Sequence, residues 1–454
     1  MLLKTEKGHR IVLVVVLTVL ALVNVPVFAA TTAIINVNVL PMLSGEVVPE
    51  QTVLIENGVI DTLGDVNRIR IPDDATVVDG TDRFLMPGLV EMHAHVPPST
   101  SDRLDRYFNL FVANGVTTIR GMLGDPSHLD LRQQILAGEV FGPRLITSGP
   151  SLNGRTVSGP QDAVRQVREQ AEAGYDFIKI HPGLSGDEFT ALAQTANEIG
   201  MPFAGHVTVA AGLARVLELG MATIDHLDGY FVALLPPNSP GSGGYGGFFD
   251  VMLAQELDAA NISKIASLTA AAGTANVPTQ TLIENRISDV PTADLMNWPE
   301  MRYMPQSTVQ RWAESREALL ADSGFDADTA ASAIELRRQL IRALQDAGAT
   351  LLLGSDAPQV FNVPGFSAHR ELQALVAAGL SPFEALRTGT AAAAEFLGTN
   401  AGIVAVGKDA DLLLLDANPF EDIVNSTRIH GVILRGQWLS RRALDERLER
   451  FTSP

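Results

Sequence analysis

Short apolar segments alternate with longer segments rich in Ala and Leu through the middle of the sequence. The short segments have the length of buried strands and include GVTTIRGM, PRLITSG, DFIKIH, PFAGHV, ATIDHLDG, NVPTQTLIE and TLLLGSDAP. The longer segments have the apolar spacing of amphipathic helices. With VEMHAHV as the first strand there are about eight βα units. This alternation predicts an α/β fold with a (β/α)8 TIM barrel, and a doubly wound parallel sheet is the alternative.

Both ends of the chain have a different pattern from the middle. Segments such as TAIINVNVL and TVLIENGVIDTLG near the start, and DADLLLLDANPF and IHGVILRGQWLS near the end, resemble strands separated by turns. Two β-rich ends so far apart in sequence can pair with each other in space. We therefore predict a small composite β-sandwich formed by residues 30–85 and 400–454, with the barrel in residues 86–399.

The first 29 residues resemble a secretory signal peptide. Three basic residues stand near the start, an apolar run follows over residues 11–28, and VFAA supplies small residues for cleavage after Ala29 or Ala30. The alternative is a retained membrane anchor, because the apolar run is about long enough to span a bilayer. With either alternative, the rest of the chain is expected in the periplasm or outside the cell, with no other membrane segment.

Composition excludes several kinds of chemistry. The net charge is −19, and an acidic surface repels phosphate backbones, so no nucleic-acid partner is expected. The chain has no cysteine, which excludes disulfides, thiolate metal ligands and cysteine nucleophiles. Any metal ion must therefore be held by histidine, by a carboxylate or by a modified lysine.

Polar side chains occur where the predicted barrel strands end, and such ends converge on one face of a barrel. Each of them alone has an ordinary structural explanation, such as a hydrogen-bonded core histidine, a helix N-cap aspartate or a lysine paired with a carboxylate. Together they suit a divalent metal centre with nitrogen and oxygen ligands. The residues are His93 and His95 on the first strand, Lys179 on the fourth, His206 on the fifth, His226 on the sixth and Asp356 on the eighth.

These segments resemble the amidohydrolase superfamily. The resemblance rests on MPGLVEMHAHV, FIKIH, AGHV, IDHLDG and GSDAP, and on the later segments HRELQALVAAGLSPFEALRTGTAAAAEFLG and VGKDADLLLLDANP. It covers nearly all of the mature chain. Within the superfamily, the segments most resemble the branch that contains Xaa-Pro and Xaa-Arg dipeptidases, ochratoxin-type amidases and imidazolonepropionase-like proteins. The resemblance implies a (β/α)8 barrel and a β-sandwich from both termini.

The resemblance also implies two divalent metal ions. Zinc is the expected element for histidine and carboxylate ligands, with manganese and cobalt as alternatives. In binuclear members a lysine on the fourth strand reacts with carbon dioxide and the resulting carbamate bridges the metals. The ions would acidify a bridging water and polarise the scissile carbonyl, and Asp356 would act as general base and then protonate the leaving nitrogen. The implied ligands are His93, His95 and Asp356 for one ion, His206 and His226 for the other, and carboxylated Lys179 for both.

Four further residues are candidates for substrate binding, and each has a structural alternative. His181 lies on the same strand face as Lys179, where it either contacts substrate or metal-bound solvent or forms a hydrogen bond in the barrel wall. Arg120 is either a salt-bridging structural residue or an anchor for a substrate carboxylate. Tyr230 either reaches the pocket or is an ordinary loop residue. His369 is either a support behind the site or a helix cap.

The expected function is hydrolysis of amide C–N bonds in small molecules such as dipeptides or N-acyl amino acids. Two alternatives keep the metal chemistry: the same dinuclear site acting on a lactone, carbamate or phosphoester, and a mononuclear cyclic amidohydrolase. A non-catalytic metal-binding protein is the third alternative. The expected partner is a small-molecule substrate, and homo-oligomers are common among such barrels. Long segments after the sixth and seventh strands, at residues 234–250 and 285–310, are expected to be loops over the site.

Overall fold

A computed structural model describes residues 31–237, 239 and 248–452. The predicted signal peptide and most of the Gly-rich part of residues 234–250 lie outside the described residues. Among the residues described, no helix is both long and apolar enough to cross a membrane.

The fold is α/β, with one mixed sheet and two parallel sheets. The strands are β1 (Thr32–Val39), β2 (Val48–Glu56), β3 (Val59–Asp65), β4 (Thr76–Asp79), β5 (Phe84–Pro87), β6 (Leu89–Ala94), β7 (Val116–Gly121), β8 (Arg144–Thr147), β9 (Ile178–Ile180), β10 (Phe203–Gly205), β11 (Thr223–Asp225), β12 (Ala275–Val277), β13 (Leu412–Leu415), β14 (Ile429–Leu434) and β15 (Gln437–Ser440).

Most of the helices connect consecutive strands. They are α1 (Leu104–Ala113), α2 (His128–Leu136), α3 (Pro160–Ala173), α4 (Gly186–Ile199), α5 (Gly212–Glu218), α6 (Tyr230–Leu234), α7 (Ile262–Ala272), α8 (Gln280–Ile287), α9 (Thr292–Met296), α10 (Gln306–Leu320), α11 (Ala327–Asp346), α12 (Phe366–Ala377), α13 (Pro382–Thr388), α14 (Ala391–Leu397) and α15 (Arg441–Glu449). Short 3-10 helices span Phe248–Glu256, Ala259–Asn261, Pro299–Tyr303 and Ile423–Thr427.

Strands from both ends of the chain share the mixed sheet. Its order is β15-β14-β13-β5-β1-β2-β3, and β4 also pairs with β1. The two ends meet where β13 pairs antiparallel with β5. Side chains such as Ile34, Ile55, Leu412 and Ile433 form an apolar cluster of their own, apart from the larger core. This separate core is what stabilises the pairing of segments so distant in sequence.

The two parallel sheets carry the middle of the chain. One has the order β6-β7-β8 and the other β12-β11-β10-β9. A parallel bridge between Ser148 and Phe177 links the region after β8 to the start of β9. Because parallel strands need crossover connections, each is followed by at least one helix. The carboxyl ends of the strands in each sheet therefore lie at the same edge.

The predicted eighth strand has strand-like pairing over residues 351–357 without being a regular strand. Leu352 N–H donates to Asn276 O of β12, and Met92 N–H of β6 donates to Leu353 O. Isolated parallel bridges join Leu351 to Asn276 and Ala357 to Ala94. This segment therefore lies between β12 and β6 and brings Asp356 beside the end of β6.

Local capping helps to define where the connecting helices begin and end. In α4, Ser185 and Glu188 form a reciprocal capping box, and Gly200 ends the helix in the left-handed region at φ 71°. This helix connects β9 to β10, the strands that carry Lys179 and precede His206. Its sharp ends therefore fix the spacing of two predicted ligand positions.

Two local predictions were wrong. The segment NVPTQTLIE is a strand only over Ala275–Val277, and helix α8 begins at Gln280. The region 285–310 is largely helical rather than a loop, because it contains α9, a 3-10 helix over Pro299–Tyr303 and the start of α10.

Candidate metal centre and active site

Three of the predicted ligands form a compact group at the end of β6. His95 Nε2 lies 3.0 Å from Asp356 Oδ1, and His93 Nε2 lies 3.6 Å from the same oxygen. One ligand atom from each of His93, His95 and Asp356 lies within 4.8 Å of the others. Nitrogen and oxygen atoms at such spacing match the donor set of a divalent cation.

The other predicted ligands adjoin this group. The ring centroids of His93 and His226 are 4.6 Å apart, and those of His226 and His206 are 4.8 Å apart. Lys179 Nζ lies 3.5 Å from Asp225 Oδ2, and the same oxygen lies 3.1 Å from His93 Nδ1. The structure therefore brings together all six side chains that the sequence places at strand ends.

Unused polar atoms at this cluster suit a bound cation. Lys179 Nζ and Asp356 Oδ1 are buried and have no hydrogen-bond partner among the described residues. Buried polar atoms nearly always have a partner, because an unsatisfied one costs the free energy of its lost hydration. A cation that contacts Asp356 and a carboxylated form of Lys179 would satisfy both groups.

Lys179 occupies a pocket that depends on a glycine. The lysine is fully buried on β9, and a Cβ added at Gly205 would lie 3.0 Å from Lys179 Nζ and 2.4 Å from Ile180 O. Gly205 also has a φ of 126°, which favours glycine. Burial lowers the pKa of Lys179, against the raising effect of Asp225 and Asp356. A lower pKa increases the fraction of neutral amine, the form that can react with carbon dioxide.

Three of the histidines have a polar partner at Nδ1. Such a partner orients the ring and leaves Nε2 available to a metal ion. The partners are Asp225 Oδ2 at 3.1 Å for His93, Asp228 Oδ2 at 3.1 Å for His206 and Thr279 Oγ1 at 2.8 Å for His226.

Electrostatics favours the neutral imidazole, which is the form that binds metals. Burial, and after it the charge of the nearby Lys179, lower the pKa of His206 to about 3. The pKa values of His93 and His226 also lie well below the usual value, again mainly because both rings are buried. Cation binding at these rings would therefore displace no proton at neutral pH.

The backbone is strained at the same place. His226, Thr279 and Asp356 have φ values of 64°, 46° and 61°, in the left-handed region. This conformation is unfavourable for a β-branched residue such as Thr279. Strain of this kind persists where surrounding contacts impose it, and it is frequent at functional sites.

A cavity of 220 Å³ opens onto the cluster. It is lined by five histidines together with one aspartate, one arginine, one glutamine and three apolar residues. These are His93, His95, His181, His206, His226, Asp356, Arg286, Gln359, Phe249, Leu282 and Val360. A larger groove of 1150 Å³ lies among α8 to α12, but none of the predicted ligands lines it. The smaller cavity is therefore the candidate active site.

The model of the Amidohydrolase family matches residues 84–439 of the chain. The chain belongs to the amidohydrolase family. Together with the hydrolases of similar structure described next, this membership identifies a hydrolytic enzyme, and members of this family generally bind divalent metals.

Solved structures similar to this amidohydrolase cover nearly the whole chain. A bottromycin amidohydrolase has 25% identity and a TM-score of 0.71, and the match covers 92% of this chain and 90% of that one. A protein described as a prolidase from Bifidobacterium longum has 24% identity, a TM-score of 0.66 and coverage of 93% and 99%. A Xaa-Pro dipeptidase with bound methionine has 20% identity, a TM-score of 0.66 and coverage of 90% and 100%. No curated protein matches the sequence significantly.

Of the four candidate substrate-binding residues in this amidohydrolase, only His181 lines the cavity. Its ring lies 5.1 Å from that of His206, and its buried Nδ1 has no hydrogen-bond partner among the described residues. Burial lowers the pKa of His181 to about 2, so the ring is neutral. A neutral imidazole at this position can donate or accept a hydrogen bond from a ligand.

The other three candidates have partners elsewhere in the fold. Arg120 is buried, donates to Met92 O at 2.7 Å and pairs with Asp225 at 3.3 Å. The Tyr230 hydroxyl contacts Thr269 and Asn276 in the core. His369 Nε2 lies 2.9 Å from Asn114 O, and its Nδ1 lies 2.9 Å from Ser426 Oγ. These contacts agree with a structural role for each of the three residues, which was one of the two alternatives for each.

Sequence reasoning missed several residues that support or line the site. Glu91 accepts hydrogen bonds from His93 N–H at 3.0 Å and from Ser355 N–H at 2.8 Å, and so joins β6 to the segment of Asp356. Burial raises the pKa of Glu91 to about 7. Glu91 could have been found from the sequence, because it is an acidic residue inside the apolar run GLVEM. Asp225 is likewise an acidic residue inside the predicted strand TIDHL. Arg286, which lines the cavity, has no comparable local pattern.

Proposed function

We propose that this protein is a metal-dependent hydrolase that cleaves amide C–N bonds in small molecules of the dipeptide or N-acyl amino acid type. The observation that carries the proposal is the convergence of four histidines, Asp356 and the buried Lys179 beside one small cavity. The bottromycin amidohydrolase, the prolidase and the Xaa-Pro dipeptidase are named for reactions of this kind, which supports the choice of bond.

The six side chains would hold two divalent cations, and zinc suits their nitrogen and oxygen atoms best. We assign His93, His95 and Asp356 to one ion and His206 and His226 to the other. Lys179 would contact both as a carbamate, and its burial and lowered pKa support that modification. When bound, such ions act as Lewis acids toward the carbonyl and promote ionisation of water.

The protein side chains would handle protons and orientation. Asp356 is the candidate general base, since its Oδ1 points toward His93 and His95 at the cavity. It would accept a proton from the attacking water and return it to the leaving nitrogen, so that water adds across the C–N bond. His181 would hydrogen-bond to the substrate from the cavity wall.

We also propose that the parallel sheets and residues 351–357 form a (β/α)8 barrel. Hydrogen bonds from this segment to both β12 and β6 support the proposal, as does the bridge between Ser148 and Phe177. A barrel would explain why side chains from five different strand positions reach one cavity. The similarity to solved amidohydrolases over more than nine-tenths of the chain agrees with it.

The Lys179→Ala substitution tests the metal assignment. The enzyme is produced in medium with bicarbonate and zinc, and metal per chain is measured by elemental analysis beside hydrolysis of a panel of dipeptides and N-acetyl amino acids. We expect about two ions per chain in the wild type. In the variant we expect a loss of metal and a fall in kcat of at least about 1,000-fold, as for loss of a principal catalytic group.

Lys264→Ala is the matched control, because Lys264 is an exposed lysine on α7. This variant should keep both metal and activity. One tightly held ion that is insensitive to the Lys179 change would favour a mononuclear enzyme. A wild-type protein that binds metal but cleaves no amide would overturn the proposed substrate class, and lactones, carbamates and phosphoesters would be assayed next.

A further inference from the structure

Arg286 faces the candidate active site from helix α8. It lines the same 220 Å³ cavity as the predicted metal ligands, and so does Leu282 one helical turn earlier. Residues four apart share a face of a helix. Helix α8 therefore presents one apolar and one cationic side chain to the cavity. Among the described residues that line it, Arg286 is the only arginine, and none is a lysine.

The guanidinium is held in a fixed position. Arg286 Nη1 donates a hydrogen bond to Ser315 Oγ of α10 at 2.9 Å. On either side of Arg286 in the sequence, Asn285 O and Ser288 O accept hydrogen bonds from Arg316 at 2.8 and 2.7 Å. Arg316 is buried, so its hydrogen bonds hold the backbone on both sides of Arg286 from within the protein. A cation fixed in advance loses little conformational entropy when it binds an anion.

The position favours an anionic ligand. Burial lowers the pKa of Arg286, and the positive charge of Arg316 lowers it further. Both effects disfavour the charged form of the guanidinium. A carboxylate ligand matches the two parallel N–H groups of a guanidinium and would stabilise that charged form.

Three apolar side chains also line the cavity. Leu282 lies one helical turn before Arg286, and Val360 and Phe249 are the other two, with the Phe249 ring 4.8 Å from that of His226. The cavity lining thus combines candidate metal ligands, one cationic side chain and three apolar side chains. Its small volume suits a substrate with one short acyl group and one modest apolar side chain.

We infer that Arg286 is the specificity-determining residue of this enzyme and binds the free carboxylate of the substrate. The preferred substrates are then N-acyl amino acids or dipeptides with a free carboxyl group and an apolar side chain in contact with Leu282 and Val360. This inference rests on the proposed amide hydrolysis and adds to it the requirement for a negative charge.

A pair of substrates that differ only in charge tests the inference. N-acetyl-L-leucine has a carboxylate where N-acetyl-L-leucinamide has a neutral amide, and release of acetate reports cleavage of the same bond in both. The wild type should prefer the acid. In Arg286→Met, kcat/KM for the acid should fall about 10- to 100-fold, the range for a lost charge-assisted hydrogen bond, mainly through KM. For the amide it should change less than about threefold.

Two further variants separate recognition from folding. Arg311→Met removes an exposed arginine from the neighbouring helix α10, and it should leave both substrates unaffected. Arg286→Lys keeps the charge and should restore part of the activity on the acid alone. Equal losses for acid and amide in Arg286→Met, or a wild type that prefers the amide, would overturn the inference.

Failure of the proposed function can be distinguished from failure of this inference. If the wild type cleaves neither compound, binding of both is measured by calorimetry on wild type and Arg286→Met. Tighter binding of the acid to the wild type, with the preference lost in the variant, would support the carboxylate site without amide hydrolysis. Equal binding of the two compounds, or binding of neither, would overturn the site.

Discussion

Asp225 and Asp228 each contact the Nδ1 atom of one histidine in the cluster, but their surroundings differ. Asp225 has no exposed surface and also contacts Lys179 Nζ at 3.5 Å and Arg120 Nη2 at 3.3 Å. Asp228 is partly exposed and contacts His206 Nδ1. It also accepts hydrogen bonds from the backbone N–H groups of Val207 and Gly229. One carboxylate is part of a buried charge network, while the other is a local support for one ring.

This difference in surroundings implies a difference in role. The negative charge of Asp225 balances that of the buried Arg120, so we expect its removal to destabilise the fold as well as to disturb the orientation of His93. Among the described residues no lysine or arginine forms an ion pair with Asp228. Burial raises the pKa of Asp228 to about 7, although the charges of Lys179 and Arg337 act to lower it. Its charge is therefore costly in the metal-free protein. Asp228 is better suited to hold His206 for metal binding than to stabilise the fold.

The largest effect is expected from Asp225→Asn. The change removes the charge opposite Arg120, and breaking a buried ion pair by removing one partner costs about 3 to 5 kcal/mol. Urea unfolding of chelator-treated protein should show a fall of that size in the free energy of unfolding. Metal affinity should also fall by more than the 10- to 100-fold typical of losing a supporting residue.

Asp228→Asn is the control for Asp225→Asn, because it also replaces an aspartate at a histidine Nδ1. If the two variants lost equal stability, Asp225 would have no special part in the charge network. The double variant Arg120→Met, Asp225→Asn sharpens the test. It should recover part of the stability that Asp225→Asn loses, since the buried Arg120 guanidinium is no longer left without its carboxylate.

The candidate metal ligands beside these two carboxylates were predictable because each depends on a local pattern. The alternation of strands and helices places strand ends at one edge, and polar residues at those ends stand out against apolar runs. His93 and His95 share a strand face, and Lys179 interrupts an apolar strand. Physical rules for strands and parallel sheets are enough to bring these residues together.

The substrate-facing wall depends on contacts between distant residues, and the sequence alone did not predict it. Helix α8 begins at Gln280 because Glu371 of α12 accepts the backbone N–H groups of Gln280 and Thr281 at 2.8 and 2.7 Å. A cap about 90 residues away has no local signal. Without it, TQTLIE resembles a strand, and the direction of Arg286 cannot be deduced.

The interactions of Tyr230 and His369 illustrate the same limit. Each residue follows a strand or segment near the site, so the sequence left both a role at the site and a purely structural role open. The Tyr230 hydroxyl instead contacts Asn276 on β12, and His369 contacts Asn114 and Ser426. The contacts of such a side chain depend on packing between segments that are distant in sequence. The periodicity of apolar residues along the chain does not contain that information.

Asp228→Asn itself should have a smaller effect, confined to metal affinity and pH dependence. Loss of the support at His206 should weaken metal binding about 10- to 100-fold while leaving stability near pH 4 unchanged. The pKa of Asp228 is about 7 in the folded protein, whereas in the unfolded chain it has the ordinary aspartate value of 3.8. As pH rises between these two values, ionisation of Asp228 therefore lowers the free energy of unfolding of the metal-free wild type.

In Asp228→Asn that contribution is absent. The free energy of unfolding, measured by urea denaturation at several pH values between 4 and 8, should rise in the variant relative to the wild type as pH increases. A constant difference between the two proteins over this range would mean that Asp228 is ionised in the folded state throughout. Its surroundings would then resemble those of Asp225 more closely than their contacts suggest.

The smallest effect is expected at Thr279, which supports His226 through a neutral hydroxyl in place of a carboxylate. Thr279→Ala removes the 2.8 Å contact with Nδ1 and should cost about 1 kcal/mol of stability. Metal affinity should fall less than about tenfold, because no charge is lost. Thr279→Ser keeps the hydroxyl and removes the β-branch at a φ of 46°, so its stability should equal or exceed that of the wild type. If Thr279→Ala weakened metal binding as much as Asp228→Asn, ring orientation rather than charge would explain how all three supports act.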